Sequence, residues 1–530
     1  MAGLCTPVSA QQQWHVAPGG TGTGSASAPF GKIQQALAAA QPGDTVLVAP
    51  GTYAEGITSV RGGAAGAPIT IKAEGASGSA VVSRAGRVLE VRHPDITIDG
   101  LAFDGRYAAT DAVRITSGGD RFVLRNAEVR RSSRDCIDMG GPEDVLIENT
   151  AINRCLWWNG KRADAHGIAV GPVRRLTVRN VTITRFSGDA IQLDPSRSLP
   201  GWSDVLIEGS TFSLAPLPAA ENGFAAGVVP GENAIDTKTH ADAPRATLVV
   251  RDTVAYGFGG GSIANMAAFN IKENVEATFD RVTVRDSFIA FRLRGPGPNG
   301  GAWVDLRNTV VHDVSYGIRY EDYIEQVTAS HVTFGAGIGQ VFKAANSNWA
   351  GIDVRNSLVL RSALPAEAPS AGGNLAVSAS AFANASAGDY RLVAGSPAVD
   401  TASALEGITV DRAGTKRPQG AAPDRGAYEL VAAVAPKVTL VGTPLSSDPT
   451  RSARLSWTNV SGETAYQVER SSDGKTFTRV KTAGANTTTW YDKGLPTGST
   501  RWYRARAVYG TTVGAYSNVV KVILKSGAGG

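Results

Sequence analysis

The most constraining feature of the sequence is a short unit that recurs from about residue 95 to residue 360. Each copy has alternating β-branched residues that lead into a polar turn residue, as at 96–99, 123–126 and 146–149. Ten copies follow one another at spacings of 23 to 43 residues, without helical periodicity. A repeat of this period predicts a solenoid in which successive coils stack on one another.

A second column of four-residue units runs through the same coils and predicts which side chains face inward. Each unit has a small second residue and a large apolar third residue, the latter being Val113, Ile137, Ile168, Ile191, Ile235, Phe269, Phe291 and Ile318. Because strand side chains alternate between two faces, the third position points inward and the fourth outward. The sequence therefore predicts an all-β fold, a parallel β-helix of about ten or more coils.

One amphipathic helix precedes this repeat. Phe30, Ile33, Ala36, Leu37 and Ala40 fall on one helical face, and the Pro-Gly-Asp segment at 42–44 ends the pattern. We expect this helix to cap the first coil.

Composition excludes several classes of protein. With 42% apolar and 19% charged residues the chain of 530 residues is too hydrophobic for disorder, and collagen and coiled coil do not fit. No stretch reaches the roughly 18 apolar residues of a membrane span, and the N-terminus lacks a signal-peptide pattern. Three cysteines predict neither a disulfide framework nor a metal site, and Cys136 is expected to be a packed core thiol.

Two segments resemble the secreted right-handed β-helix proteins of the pectate-lyase type. The stretch from Trp14 to Glu74 is similar to the cap shared by β-helix lyases of pectate, alginate and chondroitin, and residues 388–429 resemble their final coil and tail. The resemblance covers residues 14 to 430. It implies a right-handed β-helix, secretion to the extracellular space or periplasm, and an acidic polysaccharide as substrate.

A different pattern begins at residue 435 and resembles a fibronectin type III sandwich, with Trp457, Tyr466 and Tyr503 at core positions. Residues 436–530 hold 13 Lys and Arg against 5 Asp and Glu, whereas the preceding residues hold 39 against 42. We expect a spacer, with polyanion binding as the alternative. The predicted organisation is a leader at 1–13, a catalytic β-helix domain at 14–434, the fibronectin-like domain at 435–526 and a tail at 527–530.

The outward positions of the second column bring residues that are distant in sequence onto one face, because neighbouring coils lie about 4.8 Å apart. On this face carboxylates precede a ladder of cations, which favours a site over an ordinary solvated surface. The fourth positions are Arg114, Asp138, Ala169, Gln192, Asp236, Asn270, Arg292 and Arg319. The positions two residues later are Thr116, Gly140, Gly171, Asp194, Lys238, Lys272, Arg294 and Glu321.

The densest cluster of polar residues is 231–240, which follows the longest insertion; such insertions commonly form the walls of a groove. Cleavage of a uronate by β-elimination needs a neutralised carboxylate and a base for the C5 proton. Acidic oxygens that bind Ca²⁺ supply the first, and a lysine supplies the second. The resemblance to calcium-dependent pectate lyases implies Asp189, Glu232 and Asp236 as calcium ligands.

Lys272 is the first candidate for the base and Lys238 the second, since Asn270 occupies the position where the related lyases have their lysine. Arg292 and Arg294 suit a substrate carboxylate, with structural pairing to Glu273 or Asp286 as the alternative. The remaining candidates are His166 as an acid or a sugar contact, Trp157 and Trp158 as stacking platforms or loop plugs, and Asn233, Asn270 and His240 as substrate contacts.

The leading interpretation is a secreted, monomeric polysaccharide lyase that cleaves an acidic, uronate-containing glycan, with Ca²⁺ as a candidate cofactor. The alternatives are a glycoside hydrolase that uses two of Asp138, Asp189, Asp194 and Asp236, a C5 uronate epimerase, and a non-catalytic solenoid that binds polyanions. A nucleic-acid partner is not expected, because the basic C-terminal segment lacks a nucleic-acid-binding motif.

Overall fold

The structure is a computed structural model that describes residues 11–261, 263–294, 300–321, 324–345, 351–431, 437–460, 463–509 and 512–527. The chain divides into two compact units, Met1–Leu430 and Val431–Gly530. Most of the predicted leader (residues 1–10), the predicted domain boundary at 434/435 and the end of the predicted tail (528–530) lie outside the described residues.

The first unit winds through three parallel sheets in the repeating order sheet A, sheet B, sheet C, which is a parallel β-solenoid as predicted. Strands of one sheet pair with the equivalent strands of neighbouring coils, so each sheet extends along the solenoid. Sheet A contains β1 (Gln13–Val16), β2 (Thr45–Val48), β5 (Ile69–Ala73), β8 (Ile96–Asp99), β11 (Val123–Arg125), β14 (Glu143–Glu148), β19 (Arg174–Arg179), β22 (Ser203–Glu208), β25 (Ala246–Arg251), β28 (Val275–Asp280), β31 (Trp303–Arg307), β34 (Gln326–Ser330) and β37 (Ile352–Arg355).

Sheets B and C form the other two sides of each coil. Sheet B contains β3 (Gly51–Tyr53), β6 (Ala80–Ser83), β9 (Leu101–Ala108), β12 (Glu128–Ser132), β15 (Ala151–Cys155), β20 (Thr182–Phe186), β23 (Thr211–Ser213), β26 (Val254–Tyr256), β29 (Thr283–Arg285), β32 (Val310–Val311), β35 (Thr333–Phe334), β38 (Leu358–Val359) and β39 (Leu375–Ala376). Sheet C contains β4 (Ile57–Thr58), β7 (Leu89–Val91), β10 (Val113–Ile115), β13 (Ile137–Met139), β18 (Ile168–Val170), β21 (Ile191–Leu193), β24 (Ile235–Thr237), β27 (Ala267–Lys272), β30 (Ser287–Arg294), β33 (Val314–Tyr320) and β36 (Gln340–Ala344).

A single left-handed residue makes the turn from sheet A to sheet B in most coils. It is the polar turn residue of the sequence repeat, and φ lies between 48° and 54° at Asn126, Asn149, Asn180, Asp252, Asn308, His331 and Asn356. Asn and Asp tolerate this backbone region better than other residues with a Cβ atom, because their short polar side chains bond locally. The recurrence of these residue types therefore follows from the shape of the coil.

The core runs inside the solenoid. All eight residues predicted to face inward from sheet C are completely buried, which confirms that prediction. The rings of Phe269 and Phe291 stack at 5.3 Å in neighbouring coils, and Phe279 from sheet A packs against both. The capping helix α1 (Ile33–Ala39) buries Ile33, Ala36 and Leu37 against the first coils, as predicted.

The cysteine prediction is wrong. Cys136 is buried, but it is bonded to Cys155 in a disulfide and is not a free thiol. Cys136 precedes β13 and Cys155 ends β15, so both lie at the corner between sheets B and C in consecutive coils, with Cα atoms 5.5 Å apart. Stacking of the coils brings the two residues together although 19 positions separate them in sequence.

Short elements lie outside the three sheets of the first unit. β16 (Trp157–Trp158) and β17 (Arg162–Ala163) form an antiparallel hairpin. Near the end of the first unit, β40 (Phe382–Asn384) pairs with β41 (Asp389–Leu392). Three 3₁₀ turns, Ser370–Gly372, Ala379–Ala381 and Ala385–Ala387, lie in the closing segment. None of the described helices is long and apolar enough to cross a membrane.

The second unit consists of two antiparallel sheets. One contains β42 (Leu440–Leu445), β43 (Asp448–Trp457) and β46 (Thr489–Asp492), and the other contains β44 (Ala465–Ser471), β45 (Thr478–Gly484), β47 (Thr500–Tyr509), β48 (Thr512–Val513) and β49 (Val520–Ile523). Trp457, Tyr466 and Tyr503 are buried in its core, as predicted. The resemblance of this unit to a fibronectin type III domain stays a prediction.

Candidate active site

The outward face of sheet C has the predicted register. Arg114, Asp138, Ala169, Gln192, Asp236, Asn270, Arg292 and Arg319 occupy equivalent positions of consecutive strands, and Lys343 on β36 follows them. In the second outward row, Lys272 lies opposite Arg294. Parallel pairing thus brings the predicted carboxylates and cations side by side.

Asp236 lies at the centre of the Lys–Asp cluster, which we define as Gln192, Asp236, Lys238, Asn270 and Lys272. Its carboxylate accepts a hydrogen bond from Asn270 Nδ2 (2.7 Å) and contacts Lys272 Nζ at 2.8 Å and Lys238 Nζ at 3.8 Å. Lys238 Nζ also donates to Gln192 Oε1 at 3.4 Å. The two lysines predicted as bases therefore converge on one buried carboxylate.

Glu321 lies at the centre of the Arg–Glu cluster, which also contains Arg292, Arg294 and Arg319. Arg292 Nε and Arg294 Nε donate to its two carboxylate oxygens at 2.9 Å and 2.6 Å, and Arg319 lies 3.5 Å away. Although burial has the opposite effect, the bonds with Arg292 and Arg294 hold the pKa of Glu321 below its usual range. Three guanidinium groups thus surround a single carboxylate.

The alternative pairing partners proposed for these arginines are wrong. Glu273 instead accepts hydrogen bonds from Arg197, and Asp286 pairs with its neighbour Arg285. Arg197 lies in the loop between β21 and β22, which the sequence alone does not place beside Glu273. The arginines therefore have a structural partner, but it is Glu321.

A buried column of polar residues runs beside these clusters at the corner between sheets B and C. We call the first residues of the four-residue units the corner column. Its polar part comprises Asp111, Asp135, His166, Asp189 and Asn233. His166 Nδ1 lies 2.8 Å from Asp135 Oδ1, its Nε2 lies 3.6 Å from Asp189 Oδ2, and Asn233 Nδ2 donates to Asp189 Oδ1 at 2.7 Å. From Asp135 to Asn233 the column is a continuous chain of polar contacts.

Burial and charge shift the pKa values in this column. Burial lowers the pKa of His166, but the hydrogen bond and the charge of Asp135 outweigh it and raise the pKa to about 9. Burial, with the charges of Asp236 and Glu232, raises the pKa of Asp189 to about 7 against the opposite effect of His166. At neutral pH His166 is therefore a buried cation between two acidic groups.

The predicted calcium ligands do not fit a calcium site as they stand. Arg162 binds Glu232 at 2.6 Å, Lys272 binds Asp236 at 2.8 Å, and Asn233 and His166 contact Asp189. Within the described ranges no group of three or more His, Cys, Asp or Glu residues is arranged to hold a metal ion. Calcium dependence stays a prediction, and none of the steps below depends on it.

The long insertion between β23 and β24 folds back over earlier coils. Glu221 accepts hydrogen bonds from Tyr107 Oη (2.6 Å) and Arg154 Nε (2.8 Å), while Asn222 Nδ2 donates to Ser133 Oγ at 2.8 Å. Phe224 is buried in a small apolar cluster with Leu156 and Leu217. The insertion is thus held at the corner between sheets B and C of earlier coils.

Three other predicted substrate contacts pack against or bond to residues outside the two cationic clusters. Trp158 is 43% exposed and packs edge-on against Phe224, and Trp157 packs against the main core. His240 follows β24 and accepts a hydrogen bond from the backbone of Asp242. Trp158 keeps an exposed ring, whereas Trp157 is partly taken up by packing.

Several neighbours of the predicted site were not assigned roles from sequence. Gln192, Arg319 and Glu321 complete the two clusters, and Asp135 orients His166. Their positions follow from the same repeat of four-residue units that identifies Asp189 and Asp236. Asp194, a candidate hydrolase residue, is buried and accepts backbone hydrogen bonds from Ser198 within its own loop.

Comparison with known proteins gives limited matches. A family model described as a protein of unknown function (DUF1565) matches residues 16–71. No curated protein matches the sequence. Similar solved structures include an alginate lyase from Paenibacillus sp. str. FPU-7 (19% identity, TM-score 0.40, 59% of this chain and 99% of that chain). A second is pectate lyase Pel9A (17%, 0.43, 80% and 98%), and a third is a rhamnogalacturonan lyase (12%, 0.41, 70% and 91%).

Proposed function

We propose that the protein is a polysaccharide lyase that cleaves an acidic, uronate-containing glycan by β-elimination. The observation that carries this proposal is the excess of cations on four adjacent strands of sheet C. Around Asp236 and Glu321 lie Lys238, Lys272, Arg292, Arg294 and Arg319, so five cationic groups face two carboxylates. A neutral glycan gains nothing from such an excess, whereas a chain of carboxylates is attracted to it.

In this proposal the arginines bind the uronate carboxylate. A guanidinium binds a carboxylate through two parallel hydrogen bonds, and the Arg–Glu cluster already holds Glu321 with two arginines. Neutralising the C6 carboxylate makes the C5 proton more acidic, because the charge that develops on proton removal is stabilised. Arg292 and Arg294 are assigned this role.

Lys272, as the neutral amine, is proposed to take the C5 proton, while the C4–C5 double bond forms, the C4–O4 bond breaks and the leaving O4 takes a proton from water. Lys238 is the second candidate for the base. The Lys272 side chain is 12% exposed, and Thr237 of β24 forms two hydrogen bonds of 2.9 Å with the Lys272 backbone. The ion pair with Asp236 holds the amine in the cluster before substrate binds. His166, which is charged at neutral pH, is assigned a positioning role in the corner column.

Two further expectations are part of the proposal. The disulfide between Cys136 and Cys155 is typical of proteins that leave the cytosol, which supports secretion. The fibronectin-like unit is proposed to act as a spacer, and the chain as a monomer.

A glycoside hydrolase is the second candidate, and one observation favours it. Burial and the charge of Asp111 raise the pKa of Asp138 to about 6, against the effect of Arg114. A carboxyl group with such a pKa suits a general acid of glycoside hydrolysis. Asp138 lies on the same outward column as Asp236, three coils away.

The test is the ultraviolet absorbance of unsaturated uronate released from polygalacturonate, rhamnogalacturonan, alginate, glucuronan and glycosaminoglycans, each with Ca²⁺ and with chelator. Lys272→Ala should lower kcat/KM by about 10²- to 10⁴-fold while glycan binding persists. Lys272→Arg keeps the charge but cannot act as a base, so it should be equally inactive. Lys72→Ala, which removes an exposed lysine from sheet A, is the control and should retain full activity.

Other outcomes separate the alternatives. New reducing ends without absorbance would establish a hydrolase, with Asp138 as the candidate general acid. If no substrate gives either absorbance or new reducing ends, the protein is an epimerase or a binding solenoid. A solenoid that only binds glycan should lose affinity for it with each cationic side chain that is removed. Full activity in both Lys272→Ala and Lys238→Ala would show that the base is assigned wrongly.

A further inference from the structure

A groove with a volume of about 1510 Å³ runs along the corner between sheets B and C, beyond the Lys–Asp cluster. It crosses four coils, at residues 256–260, 285–288, 313–316 and 337–340, and the long insertion lines its near end. Four coils at a spacing of about 4.8 Å give a length of about 14 Å. The site predicted from sequence lies outside this groove, which sequence reasoning did not identify.

Aromatic rings line the groove and are half-buried. The rings of Phe288 and Tyr316 lie 5.4 Å apart with planes at 76°, and Tyr256 lies one coil earlier. Gly337 adopts φ +67°, and a Cβ atom there would lie 2.1 Å from Asp313 Oδ1. Glycine at this position therefore lets the backbone pass close to the Asp313 carboxylate, which also lines the groove. Rings with a few polar groups around them are typical of ligand sites.

The charge of the groove differs from that of the neighbouring clusters. Arg285 is the cationic residue among those that line it, and this guanidinium lies 4.1 Å over the ring of Tyr256 and pairs with Asp286. The carboxylates of Asp286 and Asp313 are each about half exposed. The groove thus offers rings and hydrogen-bond acceptors but no excess of positive charge, so it does not favour a polyanion.

The groove and the Arg–Glu cluster share two strands, since β30 carries Phe288 and Arg292, and β33 carries Tyr316 and Arg319. Asn233 Oδ1 accepts a hydrogen bond from the backbone of Ala267 (3.0 Å), and Ala267, Ile289, Tyr316 and Gln340 then follow in register. Beyond Asn233 the column has no charged side chain at Ala267, Ile289, Tyr316 or Gln340. A glycan that lies over the cationic clusters can therefore extend into the groove.

We infer that this groove binds uncharged sugar residues, with pyranose rings against Tyr316 and Phe288 and hydroxyl groups on Asp286 and Asp313. The inference rests on the proposed function and specifies its substrate class. The acidic residue binds at the Lys–Asp and Arg–Glu clusters, and neutral sugars occupy the adjoining groove. The substrate is accordingly a heteropolysaccharide that contains both uronate and neutral sugars.

Calorimetric titration of the full chain tests this inference with two kinds of probe. The neutral probes are hexasaccharides of β-1,4-linked glucose, mannose and galactose, and the acidic probe is hexagalacturonate. We expect at least one neutral probe to bind, and Tyr316→Ala and Phe288→Ala to weaken its binding about tenfold. Tyr316→Phe keeps the ring and should bind it nearly as the wild type does.

The cationic clusters provide the opposite control. Arg292→Ala should weaken binding of hexagalacturonate but leave the neutral probe unaffected, whereas Tyr316→Ala should do the reverse. The inference is overturned if no neutral probe binds, or if Tyr316→Ala and Phe288→Ala leave its binding unchanged while both variants keep the wild-type Tm. Absence of lyase activity together with Tyr316-dependent binding of a neutral probe would reject the proposed function but support the groove.

Discussion

At the scale of single residues, the corner column holds a charged imidazole at a buried position. His166 is 9% exposed, and carboxylates contact both of its ring nitrogens. Its neighbour Gly188 is constrained by this packing, since a Cβ atom there would lie 2.7 Å from the imidazole ring. The cost of burying the charge is offset by the two carboxylates, which raises its pKa in the folded protein.

This shift predicts a pH-dependent contribution to stability. The pKa of His166 rises from 6.5 in the unfolded chain to about 9 in the folded one, so the folded protein binds the proton more tightly. The stabilisation is complete below pH 6.5 and is lost as pH rises through 9. The Tm of His166→Gln should therefore fall furthest below that of the wild type at low pH, and the difference should shrink towards pH 9.5.

Scanning calorimetry from pH 5.5 to 9.5 measures this difference. His93→Gln is the matched control for the loss of an imidazole hydrogen bond, because the His93 ring contacts the Ser59 hydroxyl oxygen at 2.9 Å. A Tm difference for His166→Gln that does not change with pH would show that packing, and not the charge, accounts for its effect.

At the scale of elements, the turn from sheet A to sheet B determines where each coil bends. Asn149 has φ 48°, donates to Asn126 Oδ1 at 3.4 Å and accepts from Asn180 Nδ2 at 3.2 Å. The asparagines of successive coils thus form a short ladder on the surface. The left-handed backbone conformation of Asn149 contributes more to stability than the ladder does, because the hydrogen bonds of the ladder are exposed to water.

Two substitutions at Asn149 separate these contributions. Asn149→Val places a β-branched residue in the left-handed region and should cost about 1–2 kcal/mol, which lowers the Tm. Asn149→Gly removes the side-chain bonds but suits the backbone, so its Tm should stay near that of the wild type. The result would contradict this account if glycine lowered the Tm as much as valine. Calorimetry on the two variants decides the matter.

At the scale of the whole molecule, the chain contains two units with separate cores. The core of the second unit is formed by residues between Val438 and Leu524, and the disulfide lies entirely within the first. Each unit buries its own apolar residues, so neither depends on the other for its core. Thermal unfolding should therefore proceed in two transitions.

Selective perturbation assigns the two transitions. Reduction of the Cys136–Cys155 bond removes the constraint on a loop of 19 residues, worth about 3 kcal/mol, and should lower the transition of the first unit alone. Trp457→Ala creates a cavity in the core of the second unit and should lower only the other transition. A single transition that responds to both changes would show that the two units unfold cooperatively.

Much of the fold and part of the candidate site could be predicted from sequence, because both depend on local rules. The inward column from Val113 to Ile318 follows from strand alternation, and the recurrent turn residue sets the register of each coil. The same count places Asp236, Asn270 and Arg292 on one outward face. These relations repeat every coil and need no knowledge of distant loops.

Which charged residues pair with one another could be determined only from the tertiary structure. Arg197, in the loop between β21 and β22, binds Glu273, whereas Arg292 and Arg294 bind Glu321. The disulfide and the corner groove also depend on how loops of different length meet at one corner. Sequence alone thus determined which residues share a face, since strand period and turn geometry are local. Only the three-dimensional paths of the insertions decided which of those residues touch.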